Sequence, residues 1–481
     1  MIDLKSRREL LWDDEIIEKR QGVSIISHKP TRKNSAFTCN EKWEGCTCGY
    51  PGAMKDDDGY RLYYRASGGA SSVDGSESYC VATSQDGKTY ERPKLRYFSY
   101  EGNNETNIMH REERFVDCFS IFKDTNPKCP KEEKYKALSL FFSKEPLITS
   151  LYLYVSEDGY SFKFKRVLDF KGIFDTYNVL IYDEKEDHYK IYFRDFHNPD
   201  GSDKEYYPDD EIMKDAVRDV RLTTSKDLIT FSTPVRLNYG EGAADYQMYT
   251  NHVMKYPRAD VYVGFPTRYV DRREDKQNFK HLSDFGGWRT SLLKSGNRTG
   301  SAVTDCVFMY SRDGVNFKRD DNALLAPEYE EDNGWVYGDC YPSYNLVETI
   351  SDENPSVKEY SLYMGHGYRV KNIEFVRYSI RLDGFYSMRA DFSGGEILTK
   401  PMTLGNSLSI NFSTSALGHV RIVICDESGE AISGYDSGLL FGNSTDRKVE
   451  FEKPLSELSG KAVRLRIEMK DADLYSVCCD L

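Results

Sequence analysis

The chain has no Cys-x-x-Cys, no His-Glu-x-x-His, no nucleophile elbow and no glycine-rich phosphate loop, so the usual zinc, metalloprotease, serine-hydrolase and nucleotide motifs are missing. It has no run of about 18 apolar residues, and the opening Met1-Ile2-Asp3-Leu4-Lys5-Ser6-Arg7-Arg8 lacks the apolar stretch of a secretory signal. The expected location is therefore the cytoplasm, with no membrane partner. A basic stripe is missing too: 65 Lys and Arg stand against 78 Asp and Glu, a net charge of −13, so nucleic acid is not an expected partner. The 11 cysteines are odd in number and scattered, as reduced thiols are. The tightest group, Cys46-Thr47-Cys48 with Cys39 nearby, has His28 as its closest imidazole, and no metal or cofactor is expected.

What the chain does have is tyrosine, 36 residues in all, within a composition of 39% hydrophobic residues that suits a folded core. A Ser-x-Asp-Gly turn recurs as Ser84-Gln85-Asp86-Gly87, Ser156-Glu157-Asp158-Gly159 and Ser311-Arg312-Asp313-Gly314, each followed by an aromatic. Two degenerate copies read Ser225-Lys226-Asp227-Leu228 and Arg381-Leu382-Asp383-Gly384. The aspartates at 86, 158, 227, 313 and 383 stand 72, 69, 86 and 70 residues apart, a near-constant period that signals a repeat architecture. These aspartates are assigned to structure. Before each turn lies an alternating strand containing tyrosine, such as Gly59-Tyr60-Arg61-Leu62-Tyr63 or His188-Tyr189-Lys190-Ile191-Tyr192, preceded by a more apolar strand.

Four strands per repeat, five times over, predict an all-β fold: a five-bladed β-propeller over residues 1–390. The repeats are longer than those of a parallel solenoid. The polar insertion from Asp271 to Gly300 reads as a loop over one face, with Phe285, Trp288 and Arg289 suited to stacking on or hydrogen bonding to a sugar. From residue 391 to 481 short alternating strands predict a small C-terminal β-sandwich.

In a propeller the first strand of each blade starts at one mouth of the central channel and the second strand ends there. That rule gathers Trp43, Glu44 and Arg65 in blade one, Asp117 in blade two, and Asp175, Arg194 and Asp195 in blade three. Blades four and five add Asn251, Arg268, Asp339 and His366. Carboxylates among Arg, His and aromatic rings are what glycosidic bond hydrolysis needs, one carboxyl protonated and one ionised. Asp117, Asp175 and Asp195 are the candidate catalytic groups. Trp43, Glu44, Arg65, Arg194, Asn251, Arg268, Trp288, Asp339 and His366 are the candidate substrate contacts. The expected partner is a carbohydrate, and a homo-oligomer is compatible with the sequence. Two other activities fit the same scaffold: a non-catalytic glycan-binding propeller, and a glycoside phosphorylase using the mouth arginines on phosphate.

The series Trp43-Glu44-Gly45, Tyr63-Tyr64-Arg65, Val116-Asp117-Cys118, Phe174-Asp175-Thr176, Phe193-Arg194-Asp195 and Pro266-Thr267-Arg268-Tyr269 resembles bacterial proteins related to the N-terminal propeller domain of glycoside hydrolase family 32. The resemblance covers essentially the whole chain and implies the propeller and the glycosidase class. The family's Asn-Asp-Pro-Asn and Glu-Cys motifs are missing, and Arg194-Asp195 is followed by Phe196 rather than Pro.

Overall fold

The computed structural model describes residues 2–67, 77–111, 116–144, 147–205, 213, 215–271, 281, 290, 302–327, 338, 340–368 and 372–480, with only the backbone at 116, 117, 144 and 147. Five antiparallel sheets follow one another along the chain. Blade one pairs Gly49–Asp56, Gly59–Ala66, Ser78–Ser84 and Ile108–His110 in that order, and blade two pairs Val116–Lys123, Tyr135–Lys144, Leu147–Ser156 and Lys163–Leu168. Blade three runs Val179–Asp183, His188–His197, Val217–Ser225 and Val235–Arg236. In blade four the two inner strands are broken, into Gln247–Met248 with Met254–Lys255 and Tyr262–Gly264 with Thr267–Val270, ahead of Val303–Ser311 and Phe317–Leu325. Blade five takes Val347–Ile350, Lys358–His366 and Glu374–Arg381 from late in the chain, and its outer strand, Thr31–Thr38, from the beginning. That pairing closes the ring and leaves it no open edge between first and last blades.

The first 27 residues depart from the expected division at 390. Arg7–Leu10 pairs with Arg464–Asp480, Ile17–Gln21 with Gly395–Thr399, and Val23–Ser27 with Tyr386–Ala390. The propeller's strands therefore begin at Thr31, and Ile2–Ser27 joins the C-terminal strands. There the long strands Ser407–Cys425 and Arg464–Asp480 pair along their length, with a register shift between Thr414 and His419, and build a nine-stranded sheet. Its core is mostly aliphatic, including Leu408, Ile410, Ile422, Leu465 and Ile467, together with Phe412 and Tyr435. No helix among the described residues is long and apolar enough to cross a membrane.

The tyrosines of the second strands turn out to be joints between blades. Tyr135 donates to Asp56 of blade one, Tyr189 to Asp124 of blade two (2.8 Å) and Tyr262 to Asp183 of blade three. Lys123, Lys136 and Lys255 neutralise the same three carboxylates. Three residues further along, Tyr63 donates to the carbonyl of Gly159, Tyr192 to that of Gly314 and Tyr363 to that of Gly87, each in the Ser-x-Asp-Gly turn of the next blade. The turn has one geometry in the first four blades. In blade two, Ser156 Oγ accepts from Gly159 N, while Asp158 Oδ1 accepts from Ser156 Oγ and from the amides of residues 160 and 161. The same bonds recur at Asp86, Asp227 and Asp313.

The fifth copy is shifted by one residue. Tyr60, Tyr135, Tyr189 and Tyr262 pair across the strand with the turn serine, whereas Tyr360 pairs with Ile380. Asp383, at φ +60°, thus stands at the glycine position (φ +71° at Gly87, +77° at Gly159), and not, as the motif implied, at the aspartate position. Where that glycine is replaced, by Leu228 or Asp383, the tyrosine of the preceding blade is replaced as well, by Leu138 or Phe265. The joint is kept or lost as a unit.

This predicts a graded response to adding a methyl group. At Gly159 a Cβ would collide with Arg61 Nη1 and stand 3.1 Å from the Tyr63 hydroxyl, whereas at Gly242, of similar φ, it would meet nothing within 4 Å. Gly242→Ala is expected to cost about 1 kcal/mol of backbone strain, and Gly159→Ala about 2–3 kcal/mol because the inter-blade bonds are disturbed as well. Thermal melts of the two variants side by side check the difference.

Candidate functional site

Each blade has a residue forced into the left-handed region, within the start of its inner strand at Tyr50 (φ 49°) and Cys118 (59°), or in the segment leading to it at Phe174 (60°), His252 (42°) and Cys340 (57°). None is glycine, so each conformation is held against its own side chain, a strain that concentrates at functional sites. In blades one and two the cause is the same skip in register. Gly49 pairs with Arg65 and Gly52 with Tyr63, just as Asp117 pairs with Leu140 and Ser120 with Leu138. The skipped residues bend the strand towards the axis.

Below these openings the channel is filled. Tyr344 lies 5.2 Å from the Phe122 ring and 5.5 Å from Tyr177, and Tyr177 meets His252 edge-on at 5.2 Å; all four side chains are buried. Gly52 is required here for space, since a Cβ would come within 2.6 Å of the Tyr177 hydroxyl. Burial holds His252 neutral, its pKa lowered to about 3. The floor beneath the mouth is therefore built of aromatic and imidazole rings.

Around the mouth runs a connected set of rings and charges. The Tyr341 ring touches Tyr50 at 6.1 Å and Tyr249 at 5.7 Å, edge to face. The Arg65 guanidinium lies 4.9 Å from the Tyr50 ring and that of Arg194 lies 4.2 Å from Tyr249. Arg194 is 1% exposed and points Nη2 at Asp175 Oδ2, 3.8 Å away, while the Asp175 side chain is half open to solvent at 51%. Four blades thus contribute to one surface, through Tyr50 and Arg65, Tyr341, Tyr249, and Arg194 with Asp175. Tyr50, Tyr249 and Tyr341 were not among the site residues picked from the sequence, because the strand rule gives no reason to prefer one tyrosine out of 36.

The remaining candidates are distributed differently. Asp117 has its backbone at the opening of blade two, and its side chain lies outside the described residues, as do Asp339, Trp288 and the loop around Trp288. Trp43 is buried with its indole donating to Asn107, and Glu44 is fully buried, accepting from Tyr64 (2.5 Å) and Arg92 (2.7 Å). Asn251 is buried and braces blade four on the Tyr177 and Tyr192 carbonyls. Arg268 grips Asp305 with two hydrogen bonds, 2.9 and 2.6 Å, and His366 stacks on Tyr378, with Nε2 3.1 Å from its hydroxyl. Cys39 and Cys48 are packed in the core of blade one, and the Cys48 thiol donates to the Glu44 carbonyl at 2.9 Å. Among the described residues no group of three or more His, Cys, Asp or Glu side chains is placed to hold a metal ion.

Asp195 follows Arg194, and consecutive strand residues project to opposite faces. It therefore stands with Asp219, its cross-strand partner, and with Arg221 Nε at 3.4 Å. Burial pushes its carboxyl up to about 6 in spite of that arginine. Nearby, His197 bridges Asp219 (2.9 Å) and Asp245 (2.8 Å); burial pulls its pKa down, but these two bonds outweigh it and leave the value raised. Because the folded protein holds the Asp195 proton more tightly than the unfolded chain, stability falls as pH rises from the ordinary carboxylate range to about 6, and stays reduced above it. Asp195→Asn, which mimics the protonated form, is expected to gain roughly 2–3 kcal/mol over the parent near pH 8 and little near pH 4. Paired melts across that range check the sign.

Fold and site together define a five-bladed propeller whose axis is packed with rings and whose mouth carries tyrosines and arginines. No protein-family profile and no curated protein matches the chain. Among solved structures it is similar to one described as a glycoside hydrolase, at 12% identity over 73% of this chain and 92% of that one, TM-score 0.44. It is also similar to an N-acetylgalactosamine deacetylase from F. plautii, solved with blood group B trisaccharide, at 11% over 94% and 96%, TM-score 0.43. A third is a glycoside hydrolase family 32 β-fructofuranosidase from Bombyx mori, at 10% over 93% and 94%, TM-score 0.42. At these values the likeness carries nothing about chemistry, and the propeller rests on the strand pairing above.

Proposed function

We propose that the protein is a glycoside hydrolase acting on a glycan or oligosaccharide at the propeller mouth through paired carboxylates. The supporting observation is the set that runs from Asp175 and Arg194 through Tyr249, Tyr341 and Tyr50 to Arg65. A sugar ring offers C–H faces to aromatic rings and hydroxyls to charged groups, and this pocket supplies both. Asp175 stands half exposed at the mouth, 3.8 Å from the buried Arg194, where a nucleophile or a base for water is needed. Asp117, at the equivalent opening of the neighbouring blade, is the second carboxyl, the acid or stabiliser. A panel of glycans incubated with and without phosphate tests the reading. Reducing sugar released without phosphate supports it. Phosphate-dependent release of a sugar phosphate makes the protein a phosphorylase, and binding without turnover makes it a glycan receptor.

A further inference from the structure

Blade three ends its fourth strand early. Leu237 still donates its amide to Val220 of the third strand (2.9 Å), but the next residue, Asn238, already donates to Val315 of blade four (3.0 Å). Among the described residues no fourth strand lies beside residues 217–219, and the chain passes instead to blade four as the loop 238–246. The result is a cleft of about 570 Å³ between the two blades, inside the range of about 300–1,000 Å³ that small-molecule pockets occupy. Its walls are fixed by contacts within the protein. On one side His197 ties Asp219 (2.9 Å) to Asp245 of the loop (2.8 Å), and Asp219 also accepts from Arg221 (3.1 Å). On the other, Arg319 lies against the rings of Tyr239 (4.6 Å) and Tyr246 (4.7 Å), and Arg268 stands 4.6 Å from the Tyr246 ring. The cleft adjoins the mouth through Arg218, which lines it, bonds Gln247 (2.5 Å) and lies 5.5 Å from the Tyr249 ring.

We propose that this cleft receives a further unit of the sugar chain whose reacting unit sits at Asp175, which makes the substrate an oligosaccharide or a longer glycan; the inference rests on the glycan reading above. Size and position agree with it. The space takes a whole ring, and His197 follows Arg194 by three residues on one strand, about 10 Å at the rise of a β-strand, so the cleft serves a neighbour of the reacting unit. The chemistry of the wall suits a neutral, hydroxyl-rich ligand. Its carboxylates are already bonded to His197 and Arg221, so binding requires no counter-ion. Asp245 is nevertheless 60% exposed, and its carboxylate can accept from sugar hydroxyls, which both donate and accept.

The test follows binding by ligand-observed NMR titration along chain-length series of gluco-, manno-, galacto- and fructo-oligosaccharides, each as mono-, di- and trisaccharide. In at least one series the trisaccharide is expected to bind about tenfold or more tightly than the monosaccharide, a modest gain for a further ring at the efficiencies of larger ligands. Ala243→Trp and Ala244→Trp fill the cleft from exposed positions on the loop, and at least one of them should remove that gain while leaving the affinity for the monosaccharide as it was. The Ala244 carbonyl that accepts from Arg319 (2.6 Å) belongs to the backbone and is kept. The dependence of the parent protein on chain length stands as a result whether or not the variants fold. Equal affinity along every series, a gain that survives in both variants, or a loss shared equally by mono- and trisaccharide overturns the cleft assignment and leaves the glycan reading intact. Binding of no sugar in any series overturns both.

Discussion

Asp175→Asn is expected to lower turnover of a confirmed substrate by about a thousandfold or more while leaving the melting temperature unchanged. The two readouts separate because of where the side chain sits. Half of it faces solvent, and its charged partner in the structure, Arg194, is 3.8 Å away, too far for a strong hydrogen bond. Little folding energy is invested in such a carboxylate, so a functional role is the one its removal should expose. Asparagine keeps the shape and removes the charge, and the loss should appear in kcat more than in KM. Unchanged turnover in both Asp175→Asn and Asp117→Asn would refute the paired-carboxylate assignment. A large drop in stability would move Asp175 into the structural group with Glu44.

Asp383→Ala is expected to produce the opposite pattern, a loss of about 3–5 kcal/mol in stability, because it removes one member of a buried ionic cluster and strands the others. The Asp383 carboxylate is fully buried and accepts from Arg258 (3.0 Å) and Tyr256 (3.0 Å) of blade four. From the C-terminal sheet it accepts from Ser476 (2.8 Å) and Asn411 (3.2 Å), and Arg8 stands 3.4 Å away. Its backbone carbonyl takes the indole N–H of Trp12, whose ring is enclosed by Tyr256, Phe308, Tyr310 and Phe385. One side chain therefore links the last turn of the propeller, blade four and the second sheet. Asp383→Gly separates the two contributions at this position, since it relieves the φ of +60° yet removes the carboxylate. If the cluster is what matters, Gly and Ala should destabilise alike in chemical denaturation, and if strain matters, Gly should be milder.

The contrast between these two aspartates shows how far a sequence motif reaches. Asp86, Asp158 and Asp313 were assigned to equivalent turns because Ser-x-Asp-Gly chemistry is local: the serine and aspartate bond amides two and three residues away, and the glycine supplies the positive φ. Asp383 carries the same letters one position out of register, and only the pairing of Tyr360 with Ile380 reveals it. Likewise Arg194 and Asp195 were read together at one mouth, but strand pleating separates them, one onto Tyr249 and the other onto Asp219 and Arg221. Trp43 and Glu44 fit the strand-start rule, yet packing places both inside blade one with their polar atoms taken. The matching of Tyr63 with Gly159, Tyr192 with Gly314 and Tyr363 with Gly87 was open to view in the sequence, as a signal spread across two blades.

By itself the sequence determined the number of blades, their order, the alternating second strand of each and, in four of the five, the turn that follows the third strand. These follow from alternation and turn chemistry, which act over fewer than about ten residues and are written where they operate. Tertiary structure alone decided that Thr31–Thr38 closes blade five against Glu374–Arg381, that Ile2–Ser27 belongs to the C-terminal sheet, and that Tyr50, Tyr341 and Tyr249 meet at one mouth. Those contacts join residues far apart in the chain, and a tyrosine or a short β-strand carries no local mark of its distant partner. They form because the ring must close and the apolar faces must be covered, conditions that only the whole chain can satisfy.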